Sequence, residues 1–188
     1  MHRSTLLLTI LASTLCLATV TLAQDNDKSF DVRSSVGDMH MGKDADAQAA
    51  GFPPYPGARI KVEKDNDPLN FGILTEAFGF KIVVVKYESD DPPAKVLAFY
   101  RDKLKKYGKV LECHGSHDGK GVDLNDSDDD KNKSKELRCE DDNKGPINEL
   151  KVGSQNNQHI VAIEPPESQK GSTFALVYLH AHGKQGDI

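Results

Sequence analysis

Tryptophan is absent from this 188-residue chain, and aromatic side chains make up only 6% of it. The exposed aromatic platforms that stack on sugars or bases are therefore scarce, and a core has to come from Val, Ile and Leu with a few Phe and Tyr. An excess of positive charge is missing too. The chain has 24 Lys and Arg against 29 Asp and Glu, a formal charge of −5. Nucleic acid or an anionic membrane would demand a basic face that releases counterions, so neither is expected as a partner. No Cys-x-x-Cys pair, His-Glu-x-x-His helix or internal repeat occurs in the sequence.

What is present begins with an address. Residues 1–23 read as an export signal: His2 and Arg3 give a positive start, 6–22 is almost wholly apolar, and Thr21-Leu22-Ala23 supplies the small residues a signal peptidase inspects. Cleavage before Gln24 would remove Arg3 and no acid, moving the formal charge from −5 to −6. The apolar run is short for a membrane span and is followed by the acidic Gln24-Asp25-Asn26-Asp27, not by a basic stop-transfer cluster. No transmembrane segment is expected after cleavage, and the localisation is periplasmic or secreted; a retained anchor is the alternative. Leu15 precedes Cys16 where lipid-modified cysteines want a small residue. Loss of Cys16 leaves Cys113 and Cys139 in an oxidising compartment, where a disulfide is expected over two free thiols or a shared metal.

Residues 24–51 show little apolar periodicity, and Asp, Ser, Gly, Lys and Ala dominate, so the segment reads as a flexible polar tether. Phe52-Pro53-Pro54-Tyr55-Pro56-Gly57 then punctuates the chain, with Pro56-Gly57 suited to the centre of a type II turn. A single domain is expected over 52–188. Its strands are expected at 58–63, 71–74, 78–87, 109–113, 136–140, 158–163 and 173–180, from period-two alternation or short β-branched runs such as Ile82-Val83-Val84-Val85. One helix is expected, with Asp90 and Asp91 at its N-cap, Pro92 and Pro93 in its first turn and Gly108 as its stop. Val96, Leu97, Tyr100, Leu104 and Tyr107 form its apolar stripe, and a lysine-rich face covers the rest. The implied fold is α+β: an antiparallel or mixed sheet with one main amphipathic helix packed on one face. A polar, disordered excursion is expected at 114–138.

Several constellations resemble chemical sites without completing one. Asn125, Ser127, Asp129 and Glu136 approximate the alternating oxygen ligands of a calcium loop, but Asp130 stands where such loops need glycine. His114 and His117 lie close to Cys113, His180 and His182 share one face of a strand expected to fray, and Met39-His40-Met41 offers soft ligands suited to copper. None of these fixes a metal geometry, and a Cys113–Cys139 bond would remove the best ligand. Ser116-His117-Asp118 holds the residue types of a catalytic triad, but neighbours in sequence cannot reach its geometry, and Gly115 to Gly119 lacks the spacing of a nucleophile elbow. Gly115 to Gly121 likewise fails the phosphate-loop spacing. No catalytic residue and no cofactor are expected.

Tyr55-Pro56-Gly57-Ala58, followed by Ser89-Asp90-Asp91-Pro92-Pro93-Ala94-Lys95-Val96-Leu97-Ala98-Phe99-Tyr100 and a lysine-rich helix end, resembles a group of small exported bacterial proteins of unknown function. The resemblance covers about 54–108. It implies a bacterial envelope protein and carries no reaction, because a turn and a capped helix specify a fold. The functional expectation is a non-enzymatic binding or interaction module, with an envelope protein or a small ligand as partner. The alternative is a metal-binding or hydrolytic envelope protein that uses the His and Asp groups.

Overall fold

The computed structural model describes residues 29–62, 67–115, 137–139, 143–165 and 170–183. Nine strands form one sheet in which every pairing is antiparallel. In chain order they are β1 (Ser29–Ser34), β2 (Gly37–Gly42), β3 (Arg59–Ile60), β4 (Leu69–Leu74), β5 (Phe78–Ser89), β6 (Leu111–Gly115), β7 (Ile147–Ser154), β8 (Asn157–Ile163) and β9 (Ser172–Gly183). In space the order is β1-β2-β4-β5-β9-β8-β7-β6, with β3 pairing beside β4 on β5. A single helix, α1 (Pro93–Leu104), leads into a short 3-10 turn over Lys105–Tyr107.

The expected α+β class is overturned. Strand accounts for 52% of the described residues and helix for 12%, so the protein is β-rich and its one helix is a short cap on part of an antiparallel sheet. The missing strands explain the difference. In β7 the alternation of Leu150 and Val152 is masked by Glu149 and Lys151, which pair with each other at 3.1 Å in a nearly buried position on the opposite face. In β1 and β2 the alternating side chains are half-exposed, and neither strand has a run of β-branched residues. The strand expected at 136–140 is not formed at 137–139, and residues 136 and 140 lie outside the described residues.

Strand alternation assigns the core. Val83, Val85 and Tyr87 of β5 face the same side as Phe174 and Leu176 of β9, Val161 and Ile163 of β8, and Leu150 and Val152 of β7. Val96, Tyr100 and Leu104 of α1 seal this side, all fully buried. The helix N-cap is Pro92 and no side chain caps it. Asp91 is drawn away by the Tyr55 hydroxyl and the Lys95 ammonium, both at 2.8 Å. Gly108, at φ 133°, closes the helical segment as its lack of a side chain allows.

The described part of the expected tether, 29–51, is folded. After the β1–β2 hairpin, Ala45, Ala47 and Ala50 are buried in the core together with Phe52 and Tyr55. Alanines carry no periodic signal of bulk, yet their small side chains let the backbone lie close on α1 and the sheet. Three tyrosines fasten the segment: Tyr87 Oη accepts from the Ala47 N–H at 2.9 Å, Tyr100 donates to Pro53 O at 3.3 Å, and Tyr107 donates to Gly51 O. The expected type II turn stands at Pro56-Gly57, with Gly57 at φ 76° and the Ala58 N–H donating to Tyr55 O at 3.1 Å.

α1 covers β7, β8 and β9 only. The same face of β1, β2 and β4, of the Gly79–Lys81 end of β5 and of the far end of β9 lies beyond the helix, and ionisable side chains stand along it.

Candidate functional site

The register places ionisable residues in two rows across this open face. Asp31, His40, Gly72, Lys81 and His180 are successive cross-strand partners, and Arg33, Asp38, Leu74, Gly79 and His182 form the next row. Gly72 and Gly79 lack side chains in the middle of the rows, so the surface sinks into a groove of about 360 Å³ walled by the charged and imidazole groups. Gly79 serves by close approach: a Cβ on it would stand 2.3 Å from Nε2 of His182, so only glycine lets that ring lie across β5.

His40 is held on both sides. Its Nδ1 lies 2.8 Å from Asp31 Oδ1 and its Nε2 lies 3.3 Å from Asp44 Oδ1. Two facing carboxylates favour an imidazolium that donates from both nitrogens. The hydrogen bond to Asp31 is the main cause that raises its pKa above the usual histidine value, with Asp44 adding to it against partial burial. A ring with both nitrogens engaged has no free position from which to act as a base toward a nucleophile. Ser34 of the hairpin, on the opposite face, donates to Gly37 O at 2.9 Å.

The opposite wall is cationic and imidazole-bearing. Lys81 Nζ stands 5.9 Å from the Tyr178 ring centre, and the His180 and His182 rings are 5.7 Å apart, edge to face. Among the described residues neither Arg33 nor Lys81 has a carboxylate within ion-pair distance. Arg33 and Lys81 thus line the groove together with the carboxylates of Asp31 and Asp38.

Some of the expected site residues fall among the described residues and others do not. His180 and His182 share a face, as expected, but their strand does not fray: β9 pairs with β5 through Gly183. His40 lies between Met39 and Met41 in a strand, so alternation sends the two thioethers to the opposite face and the copper-like trio is not assembled. His114 is exposed on β6 and Cys113 beside it is buried, again on opposite faces. Cys113 and Cys139 stand at disulfide distance, with Cα atoms 5.4 Å apart. His117 and the calcium candidates Asn125, Ser127, Asp129 and Glu136 lie outside the described residues. Among the described residues no three His, Cys, Asp or Glu side chains converge as a metal ligand set would require.

Sequence reading missed Asp31, Arg33, Asp38, Gly72, Gly79 and Lys81. The signal was available only as alternation: 31 and 33, 38 and 40, 79 and 81, 180 and 182 are each two apart. The strand order that brings these pairs together is a long-range property.

Among the described residues no helix is long and apolar enough to cross a membrane. No protein-family model matches the chain, and comparison with curated proteins and with solved structures finds no similar protein.

Proposed function

We propose that the protein is an exported, non-enzymatic binding module whose groove takes a small ligand bearing carboxylate or phosphate groups. The observation that carries this reading is the set of cationic and imidazole groups, Arg33, Lys81, His180 and His182, around the floor made by Gly72 and Gly79. Backbone open at Gly72, beside Arg33 and Lys81 with no carboxylate at ion-pair distance, is what an anion requires, and the His182 ring over Gly79 supplies a further donor. The doubly engaged ring of His40 argues against proton-transfer chemistry and for a fixed wall. Export is supported by the signal-like first 23 residues, by the Cys113–Cys139 pair and by the likeness to small exported bacterial proteins.

Titrating inorganic phosphate and citrate into ¹⁵N-labelled protein tests the reading. Resonance shifts are expected at Arg33, Lys81, His180 and His182, saturating and weakened by salt. Lys81→Ala and His182→Ala are each expected to weaken binding by about tenfold, a typical loss for one charge-assisted hydrogen bond. Absence of saturable shifts at these four residues with both anions would defeat it. A second reading rests on the two adjacent imidazoles of His180 and His182, which could ligate a transition metal with a donor supplied from outside the described residues. The same titration with zinc separates the two, because metal binding would shift the two imidazoles and leave Arg33 unmoved.

A further inference from the structure

The two edges of the sheet are treated differently. At the β6 edge, Cys139 is joined to Cys113, the Asn143 side chain accepts from the His114 N–H at 2.6 Å, and Gly145 donates to His114 O at 3.0 Å. At the other edge β1 has none of this among the described residues. It pairs with β2 in unbroken register from Ser29↔Gly42 to Ser34↔Gly37, holds no proline or bulge, and no described strand pairs with its outer side. Proteins ordinarily blunt such an edge with proline, a bulge, an inward lysine or a covering loop. An edge left regular and open is a template for another strand.

The sequence of β1, Ser-Phe-Asp-Val-Arg-Ser, selects which strand. Set antiparallel to a second copy and centred on Val32, it places Asp31 opposite the partner's Arg33 and Arg33 opposite the partner's Asp31. Moving the centre by one residue to keep the same faces aligned puts Asp31 against the partner's Asp31, or Arg33 against the partner's Arg33. Like charges directly opposite are destabilising, so the Val32 register is singled out. Both ions are free to serve. Arg33 has no ion-pair partner among the described residues, and Asp31 contacts His40 through Oδ1, leaving Oδ2. On the reverse face Val32 would meet its own copy, and Phe30 and Met41, 46% and 48% exposed, would be extended into one apolar surface with the partner's.

We infer that the protein pairs with a second copy of itself through β1, antiparallel about Val32, to form a continuous sheet across a two-fold axis. The axis stands perpendicular to the sheet, so both grooves open on the same side with Asp31 and Arg33 of each copy between them. The pairing is isologous and closes on itself, as a dimer through one self-complementary edge must.

The test uses the oxidised chain from Gln24 onward. Sedimentation equilibrium is expected to give a concentration-dependent dimer. Arg33→Asp and Asp31→Arg are each expected to be folded by circular dichroism and to associate at least about tenfold more weakly, since each places like charges opposite. An equimolar mixture of the two is expected to recover the dimer, because every contact across the axis is then of opposite sign. As a check independent of charge, Val32→Cys is expected to form a covalent dimer on a non-reducing gel, since directly opposed Cα atoms lie within disulfide reach. Ser34→Cys, opposite the partner's Phe30, is expected to cross-link far more slowly. A wild-type chain that stays monomeric at about 100 μM, two orders of magnitude above a micromolar dissociation constant, would overturn the proposal. So would failure of the mixture to associate, or equal cross-linking of the two cysteine variants.

Discussion

The ring of His159, 7% exposed, is stacked on Tyr107 with centroids 4.0 Å apart and meets Phe52 edge-on at 5.3 Å. Burial, with a smaller push from Lys106, lowers its pKa from 6.5 to about 4. The unfolded chain therefore takes up a proton between those values while the folded one does not, and stability falls as the pH drops through that window. The loss amounts to about 3 kcal/mol by pH 4 at 1.36 kcal/mol per unit. His159→Phe keeps the ring stack and removes the titration, so urea unfolding of the variant at pH 7 and pH 4.5 is expected to show a smaller difference than the wild type by about 2 kcal/mol. Equal differences in the two proteins would exclude His159 as the acid-sensitive group. His40 runs the other way: with its pKa raised by Asp31 and Asp44, its contribution is complete below the ordinary histidine value and is lost as pH rises through the raised one.

Among the elements, β6 depends most on a covalent partner. It pairs only with β7, at the end of the sheet, and Cys113 ties it to residues 26 positions further along. A loop of that span gives ~3.5 kcal/mol of stabilisation by chain-entropy arithmetic. Cys139→Ser is expected to lower the stability of the chain by roughly this amount while leaving most of the strand circular dichroism intact; an unchanged denaturation midpoint would mean that the bond constrains nothing. The elements also differ in how plainly the sequence announces them. β5, β8, α1 and the Pro56-Gly57 turn were legible because β-branched runs, helical spacing and turn chemistry are local. The β1–β2 hairpin and the alanine segment were not, because Ala45, Ala47 and Ala50 are buried by what tyrosines 87, 100 and 107 do from distant parts of the chain. β7 was hidden by a charge pair whose partnership exists only once Glu149 and Lys151 lie side by side. For the groove, His180 and His182 were picked out as a pair, but the residues facing them depend on strand order, which no local pattern encodes.

For the molecule as a whole, apolar burial is lopsided. The largest fully buried side chains belong to β5, β7, β8, β9 and α1, whereas in β1 and β2 only Gly42 is buried. Opening free energies are expected to follow that gradient. In native-state hydrogen exchange, amides of β1 and β2 should exchange through local opening well below the global unfolding free energy, and those at 83–85 and 174–177 only through global unfolding. If dimerisation through β1 operates, raising the protein concentration should slow exchange in β1 selectively. Uniform protection across all nine strands would contradict the gradient.

The twelve-residue partnership of β5 with β9 also fixes an order of events in time. The strand at the middle of the sheet is the last of the nine to be synthesised, so β5 must wait for a partner that lies more than eighty residues downstream. Until β9 arrives, β1, β2, β4 and β5 with β3 can pair only as one part of the sheet and β6, β7 and β8 as another, and both lack Phe174 and Leu176, the β9 side chains at the centre of the apolar face. Contacts of such long sequence separation fold slowly. A chain of this design cannot close its sheet until its last strand has been made, so the two parts of the sheet meet only at the end of synthesis.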